Sequence, residues 1–162
     1  MKKYILNPIS MFIIGLILGI VSRLLDIYTT NLGNIFSEMA IWILLGILIS
    51  LYSKTTKQAM LNILLFCLGM LLTYYFTAFI TNGVYSKSFI IGWTIFSLCT
   101  PILAYFTRMT KKKGLLPKLI SLGIVLVSIF SSIILFDRLR VYDIIIDLVI
   151  IYLLFFKKEN NS

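Results

Sequence analysis

The sequence predicts an all-α fold: a polytopic integral membrane protein built as a six-transmembrane-helix bundle. Composition is the first observation, since 60% of the 162 residues are hydrophobic and only 13% are charged, against about a quarter charged in an average soluble domain. The second is that the apolar residues form six segments, each near the ~20 residues that a helix needs to cross a bilayer. The longest candidate loop, Arg108 to Pro117, is short. One transmembrane domain over residues 1–162 is therefore expected.

The first apolar segment, Pro8 to Tyr28, follows Met-Lys-Lys, and a basic start followed by an apolar run is also typical of a signal peptide. Ser22-Arg23-Leu24 offers no cleavage site with small residues, and the apolar residues continue beyond it. We therefore expect this segment to remain as the first transmembrane helix.

The next three predicted helices are Ile35 to Tyr52, Ala59 to Ile80 and Ser88 to Thr107. Turn-forming residues separate them, for example Thr81-Asn82-Gly83. Pro101 lies inside the fourth helix. Because proline has no amide hydrogen, it is expected to kink this helix and to leave one carbonyl for a neighbouring group to satisfy.

The last two predicted helices are Lys118 to Phe136 and Val141 to Phe156. The final one is the shortest and contains two acids, Asp143 and Asp147, one helical turn apart in an otherwise apolar run. A carboxylate in the hydrocarbon region is costly, so such residues usually serve a pairing or functional role.

The basic residues predict the orientation. If the amino terminus is cytoplasmic, eleven basic residues lie at the inner surface and four at the outer surface. The inner residues are Lys2, Lys3, Lys54, Lys57, Arg108, Lys111, Lys112, Lys113, Lys118, Lys157 and Lys158, and the outer ones are Arg23, Lys87, Arg138 and Arg140. This is the positive-inside pattern, so a multi-pass protein of the cell membrane with both termini in the cytoplasm is expected. The bilayer, not nucleic acid, then accounts for the net charge of +9.

Small residues mark one face of the first helix, where Gly15 and Gly19 form a GxxxG pattern that continues through Ser22 to Asp26. Glycines at this spacing let two helices approach closely in lipid. The pattern predicts helix packing, and it equally suits docking of a membrane partner subunit or self-association.

Charged residues gather toward the outer ends of the predicted helices. The candidates for a ligand or ion site are Asp147, Asp143, Glu38, Asp26, Arg23 and Arg140. Two interpretations remain open. The first is a set of structural ion pairs and interfacial anchors, and the second is an outward-facing site for a small solute or cation.

Catalytic and metal signatures are missing. The chain has no histidine, which is the commonest metal ligand and the usual acid–base group near neutral pH. Cys67 and Cys99 lie within apolar runs at no metal-binding or redox spacing. We therefore predict no metal site, no cofactor and no enzymatic activity.

Six helices, cytoplasmic termini, 162 residues and polar groups near the outer face together resemble the membrane-embedded substrate-binding subunits of energy-coupling-factor transporters. That family docks its shared transmembrane partner through small residues on the first helix, usually alanines. The resemblance implies this role for Gly15 and Gly19, and a function in solute binding or transport. The alternative is a non-transporting protein, such as an envelope scaffold, an interaction protein or an immunity protein.

Overall fold

The computed structural model describes residues 6–29, 31–83, 86–136 and 139–156, and this part of the chain is helical without strands. The helices are α1 Pro8–Tyr28, α2 Asn31–Ser37, α3 Met39–Tyr52, α4 Thr56–Ile80, α5 Lys87–Met109, α6 Leu115–Phe136 and α7 Val141–Ile151, which continues as a π-helix over Tyr152–Phe156. Several basic residues of the topology prediction lie outside the described ranges, namely Lys2, Lys3, Arg138, Lys157 and Lys158.

Four of these helices, α1, α4, α5 and α6, are long and apolar enough to cross a membrane. The apolar helix α3 is shorter, and its 14 residues span about 21 Å at the helical rise, against about 30 Å for the hydrocarbon core. An all-helical chain with four such helices is compatible with a membrane-embedded bundle.

Local capping sets the start of α1. The Asn7 side chain accepts a hydrogen bond from the Ser10 amide at 2.8 Å, and Pro8 occupies the first turn, where its missing amide hydrogen costs nothing. At the other end, the Thr29 hydroxyl oxygen accepts a hydrogen bond from the Gly33 amide at 3.0 Å. This contact ties the end of α1 to α2.

The segment predicted as one helix from Ile35 to Tyr52 is two helices in the structure. Helix begins already at Asn31, in the predicted connection, and is interrupted at Glu38, whose backbone is extended (φ −90°, ψ 154°). The Glu38 side chain is buried against α7. The interruption therefore accompanies a contact with residues about a hundred positions away, which no local pattern encodes.

A tight seam joins α1 to α4 and uses both glycines of the GxxxG pattern. A Cβ atom on Gly15 would lie 2.2 Å from the Phe66 carbonyl oxygen, and one on Gly19 would lie 2.3 Å from that of Met70. Thr73 on α4 donates a hydrogen bond to the Leu16 carbonyl of α1 at 2.7 Å. The glycine face of α1 thus has the helix-packing role and is covered by α4.

Helix α3 lies between two apolar cores. One of its faces contributes Ile49 to a core with α1, α4 and α5, and another contributes Ile47 to a core with α6 and α7. The carboxyl end of α3 is closed by Arg108 of α5, whose guanidinium donates hydrogen bonds to the carbonyls of Leu51 and Ser53 at 3.2 and 3.1 Å. Helix α3 therefore separates the core that contains α1, α4 and α5 from the core that contains α6 and α7.

Candidate functional site

A cavity of about 370 Å³ lies inside the bundle between α3, α4, α5 and α6. Its volume falls within the range of small-molecule pockets. The lining residues are Met39, Trp42, Ile43, Gly46, Ile47, Ser50, Ile63, Phe66, Cys67, Met70, Trp93, Phe96, Ser97, Thr100, Leu103, Ala104, Phe106, Thr107, Ile120, Gly123, Ile124 and Val127. Both tryptophans of the chain are among them.

The walls of this cavity offer few free hydrogen-bonding groups. Three of its hydroxyl groups donate to carbonyls of their own helices: Ser50 to Gly46 at 2.7 Å, Thr100 to Ser97 at 2.7 Å and Thr107 to Leu103 at 2.9 Å. The Ser97 carbonyl is the group that Pro101 leaves without its helical amide donor, so Thr100 satisfies it locally. Aromatic and aliphatic side chains provide most of the remaining surface.

One side of the cavity is not sealed. Leu103 and Phe106 of α5, and Gly123 and Val127 of α6, line the cavity and are exposed at the same time. A Cβ atom built on Gly123 would have no neighbour within 4 Å. The cavity therefore borders the apolar outer surface of the bundle between α5 and α6.

A separate polar cluster joins the start of α3 to the start of α7. Arg140 and Glu38 form an ion pair, with 2.9 Å between Nη1 and Oε1, and the Glu38 side chain is 1% exposed. The Tyr142 hydroxyl donates to the same Glu38 oxygen at 2.9 Å and also contacts the Arg140 guanidinium. Two half-buried partners at the start of α7 thus hold one carboxyl group of the α2–α3 junction.

Asp143 completes this cluster and is 0% exposed. One of its oxygens, Oδ2, accepts a hydrogen bond from the Arg140 amide at 2.9 Å and so caps the first turn of α7. Its carboxyl group is also within hydrogen-bonding reach of the Glu38 carboxyl group. Two buried acids and one cation therefore meet at this point.

Asp147 lies one turn deeper along α7 and has a partner of its own. The Ser128 hydroxyl of α6 donates a hydrogen bond to Asp147 Oδ1 at 2.6 Å, and the residue is 5% exposed. This bond links α6 to α7. It gives the Asp147 carboxyl group a structural contact.

Arg23 and Asp26 form a second pair within α1, with 2.6 Å between Nη1 and Oδ2. Arg23 also lies over the ring of Tyr74, 5.7 Å from its centroid, and against Gly83. Asp26 is 34% exposed and Arg23 11%, so the acid of this pair is closer to solvent than Glu38, whereas its arginine is more buried than Arg140.

By their partners, the six candidate residues fall into three groups: Glu38 with Arg140 and Asp143, Asp147 with Ser128, and Arg23 with Asp26. None of the six lines the cavity described above. The sequence patterns did not predict that cavity. Ser97, Thr100 and Ala104 are small or polar residues at helical spacing on α5, and this spacing is a sequence signal for the position of the cavity, because all three line it.

No curated protein sequence and no solved structure matches the chain. A family model does match, over residues 2–125. Apart from Val127, every residue that lines the cavity lies within this matched range, whereas all of α7 lies beyond it. The chain thus belongs to DUF6518, a family of unknown function.

Proposed function

We propose that this protein is a membrane-embedded binding or transport component that holds a small, largely apolar molecule in the cavity between α3, α4, α5 and α6. The observation that carries the proposal is the cavity itself. Three of its four hydroxyl groups, those of Ser50, Thr100 and Thr107, are engaged with helix carbonyls, so a strongly polar solute would lose more hydrogen bonds to water than this wall could replace.

Access from the bilayer agrees with this choice of ligand. The side of the cavity next to α5 and α6 borders the apolar surface of the bundle, where exposed residues such as Leu103 and Val127 belong to its lining. An apolar molecule dissolved in lipid would enter there without crossing a polar barrier. In this proposal the candidate carboxylates lie outside the binding site and do not contact the ligand.

The full topology is part of the same proposal. Six crossings, with both termini in the cytoplasm of a cell-membrane protein, require α3 and α7 with its π-helical extension to cross as short spans. A membrane partner subunit or self-association would occupy the lipid-facing surface, since α4 already covers Gly15 and Gly19.

Cysteine labelling tests this topology. In a background that carries Cys67→Ala and Cys99→Ala, we expect Lys87→Cys to react with a membrane-impermeant maleimide on intact cells. Lys57→Cys and Lys113→Cys should react only after permeabilisation, because the basic loops are retained in the cytoplasm. Labelling of Lys57→Cys or Lys113→Cys on intact cells would contradict the proposed orientation.

Filling the cavity tests the ligand class. Because both tryptophans line the cavity, a short-chain brominated fatty acid bound there should quench their fluorescence saturably. Gly123→Phe places a ring in the open space at this position and is expected to weaken that binding by at least about tenfold, which corresponds to ~1.4 kcal/mol. The measurement is a quenching titration at a fixed detergent concentration.

Gly92→Phe is the matched control. Gly92 is also an exposed helical glycine whose Cβ would have no neighbour within 4 Å, but it does not line the cavity. Equal quenching curves for wild type and both variants would contradict cavity binding. Such a result would favour the alternative of a non-transporting scaffold, interaction or immunity protein.

A further inference from the structure

The carboxyl groups of Glu38 and Asp143 form an unusual buried arrangement. Both residues are almost completely excluded from solvent, at 1% and 0% exposure. They lie on different helical elements, at the start of α3 and in the first turn of α7, and their carboxyl groups are within reach of each other. Two carboxylates in such contact cannot both stay ionised without compensating charge.

Only one positive charge is available to them in the described contacts. Arg140 forms an ion pair with Glu38 through Nη1, and its backbone N–H donates a hydrogen bond to Asp143. Tyr142, the other partner of Glu38, is a neutral donor. Asp147, one turn deeper, would add negative charge, and its described partner is the uncharged Ser128. With both acids ionised, Arg140 would therefore leave at least one buried negative charge without a cation.

The two carboxyl groups also lack hydrogen-bond donors. Glu38 Oε2 and Asp143 Oδ1 are both buried and have no donor, although the other oxygen of each carboxyl group is bonded. A water molecule could donate to both atoms, but it would leave the excess charge in place. A metal ion is a poor occupant, because no group of three potential ligands converges among the described residues.

We propose that Glu38 and Asp143 form a proton-binding site in which the two carboxyl groups share one proton. The proton supplies the donor that the two unbonded oxygens lack, and it reduces the charge of the pair to the single negative charge that Arg140 balances. The site joins α3 to α7, none of its residues lines the cavity, and it does not depend on what the cavity binds.

Infrared spectroscopy of the protein in nanodiscs at neutral pH tests this site. We expect wild type to show the carbonyl stretch of a protonated carboxyl group, shifted in D2O. Replacing either acid by its amide, Glu38→Gln or Asp143→Asn, should remove this band, because the remaining carboxylate then pairs alone with Arg140 and no proton is held. Both substitutions are close to isosteric with the protonated acid, and tryptophan fluorescence verifies folding.

Two variants separate this site from other carboxyl groups. Asp147→Asn and Asp26→Asn should leave the band in place, which would assign it to the pair. The proposal is overturned if folded wild type lacks the band, or if the band survives in both Glu38→Gln and Asp143→Asn. Loss of the band in Asp147→Asn alone would place the proton on Asp147 and equally overturn it.

Discussion

Arg140→Met is expected to destabilise the protein by about 3–5 kcal/mol, because it leaves the buried acids at the α3–α7 junction without their cation. Glu38 loses its ion pair, and the Tyr142 hydroxyl loses its contact with the guanidinium. Methionine preserves much of the apolar stem of arginine, so the change isolates the charge. Equilibrium unfolding in mixed micelles measures the effect.

The control is Asp26→Asn, which removes the acid of the other described ion pair. Asp26 is 34% exposed and lies within the same helix as Arg23. A smaller loss is expected here, because Asp26 is partly hydrated and Arg23, whose side chain is 11% exposed, keeps its contact with the ring of Tyr74. Losses of equal size for Arg140→Met and Asp26→Asn would contradict the assignment of the Glu38 cluster as a buried charge centre.

Gly19→Leu is expected to be the most damaging change in the α1–α4 seam. Even a Cβ atom would lie 2.1 Å from the Thr73 hydroxyl oxygen and 2.3 Å from the Met70 carbonyl oxygen, so the helices would have to separate. Overpacking of this kind costs about 1–3 kcal/mol or more. Separation would also break the hydrogen bond from Thr73 to Leu16. We expect a large loss of monodisperse protein and a lower melting temperature.

Gly92→Leu provides the comparison, because a leucine there meets open space on the exposed side of α5. It should melt close to wild type. If Gly19→Leu also melts close to wild type, α1 and α4 do not pack as described.

Features with local causes were accessible from the sequence. The first helix was predicted over Pro8 to Tyr28 from its apolar run, and α1 has these bounds. In the structure a capping asparagine and a proline, Asn7 and Pro8, set its start. The carbonyl left by Pro101 was expected to need a donor, and Thr100 supplies it. Both depend on residues within one or two turns.

Features that depend on packing between distant elements were not accessible. The pairing of Arg140 with Glu38 is decided by the contact of α3 with α7, and the interruption of helix at Glu38 accompanies that same contact. The cavity is harder still to foresee. It is a volume left between four helices, so no single residue pattern encodes it.

Native mass spectrometry of the protein, released from nanodiscs, tests the central claim of an apolar ligand in the cavity most directly. We expect wild type and Gly92→Phe to carry a bound small molecule that extracts into organic solvent, and Gly123→Phe to lack it. An unliganded wild-type protein, or an adduct retained equally by Gly123→Phe, would contradict the claim.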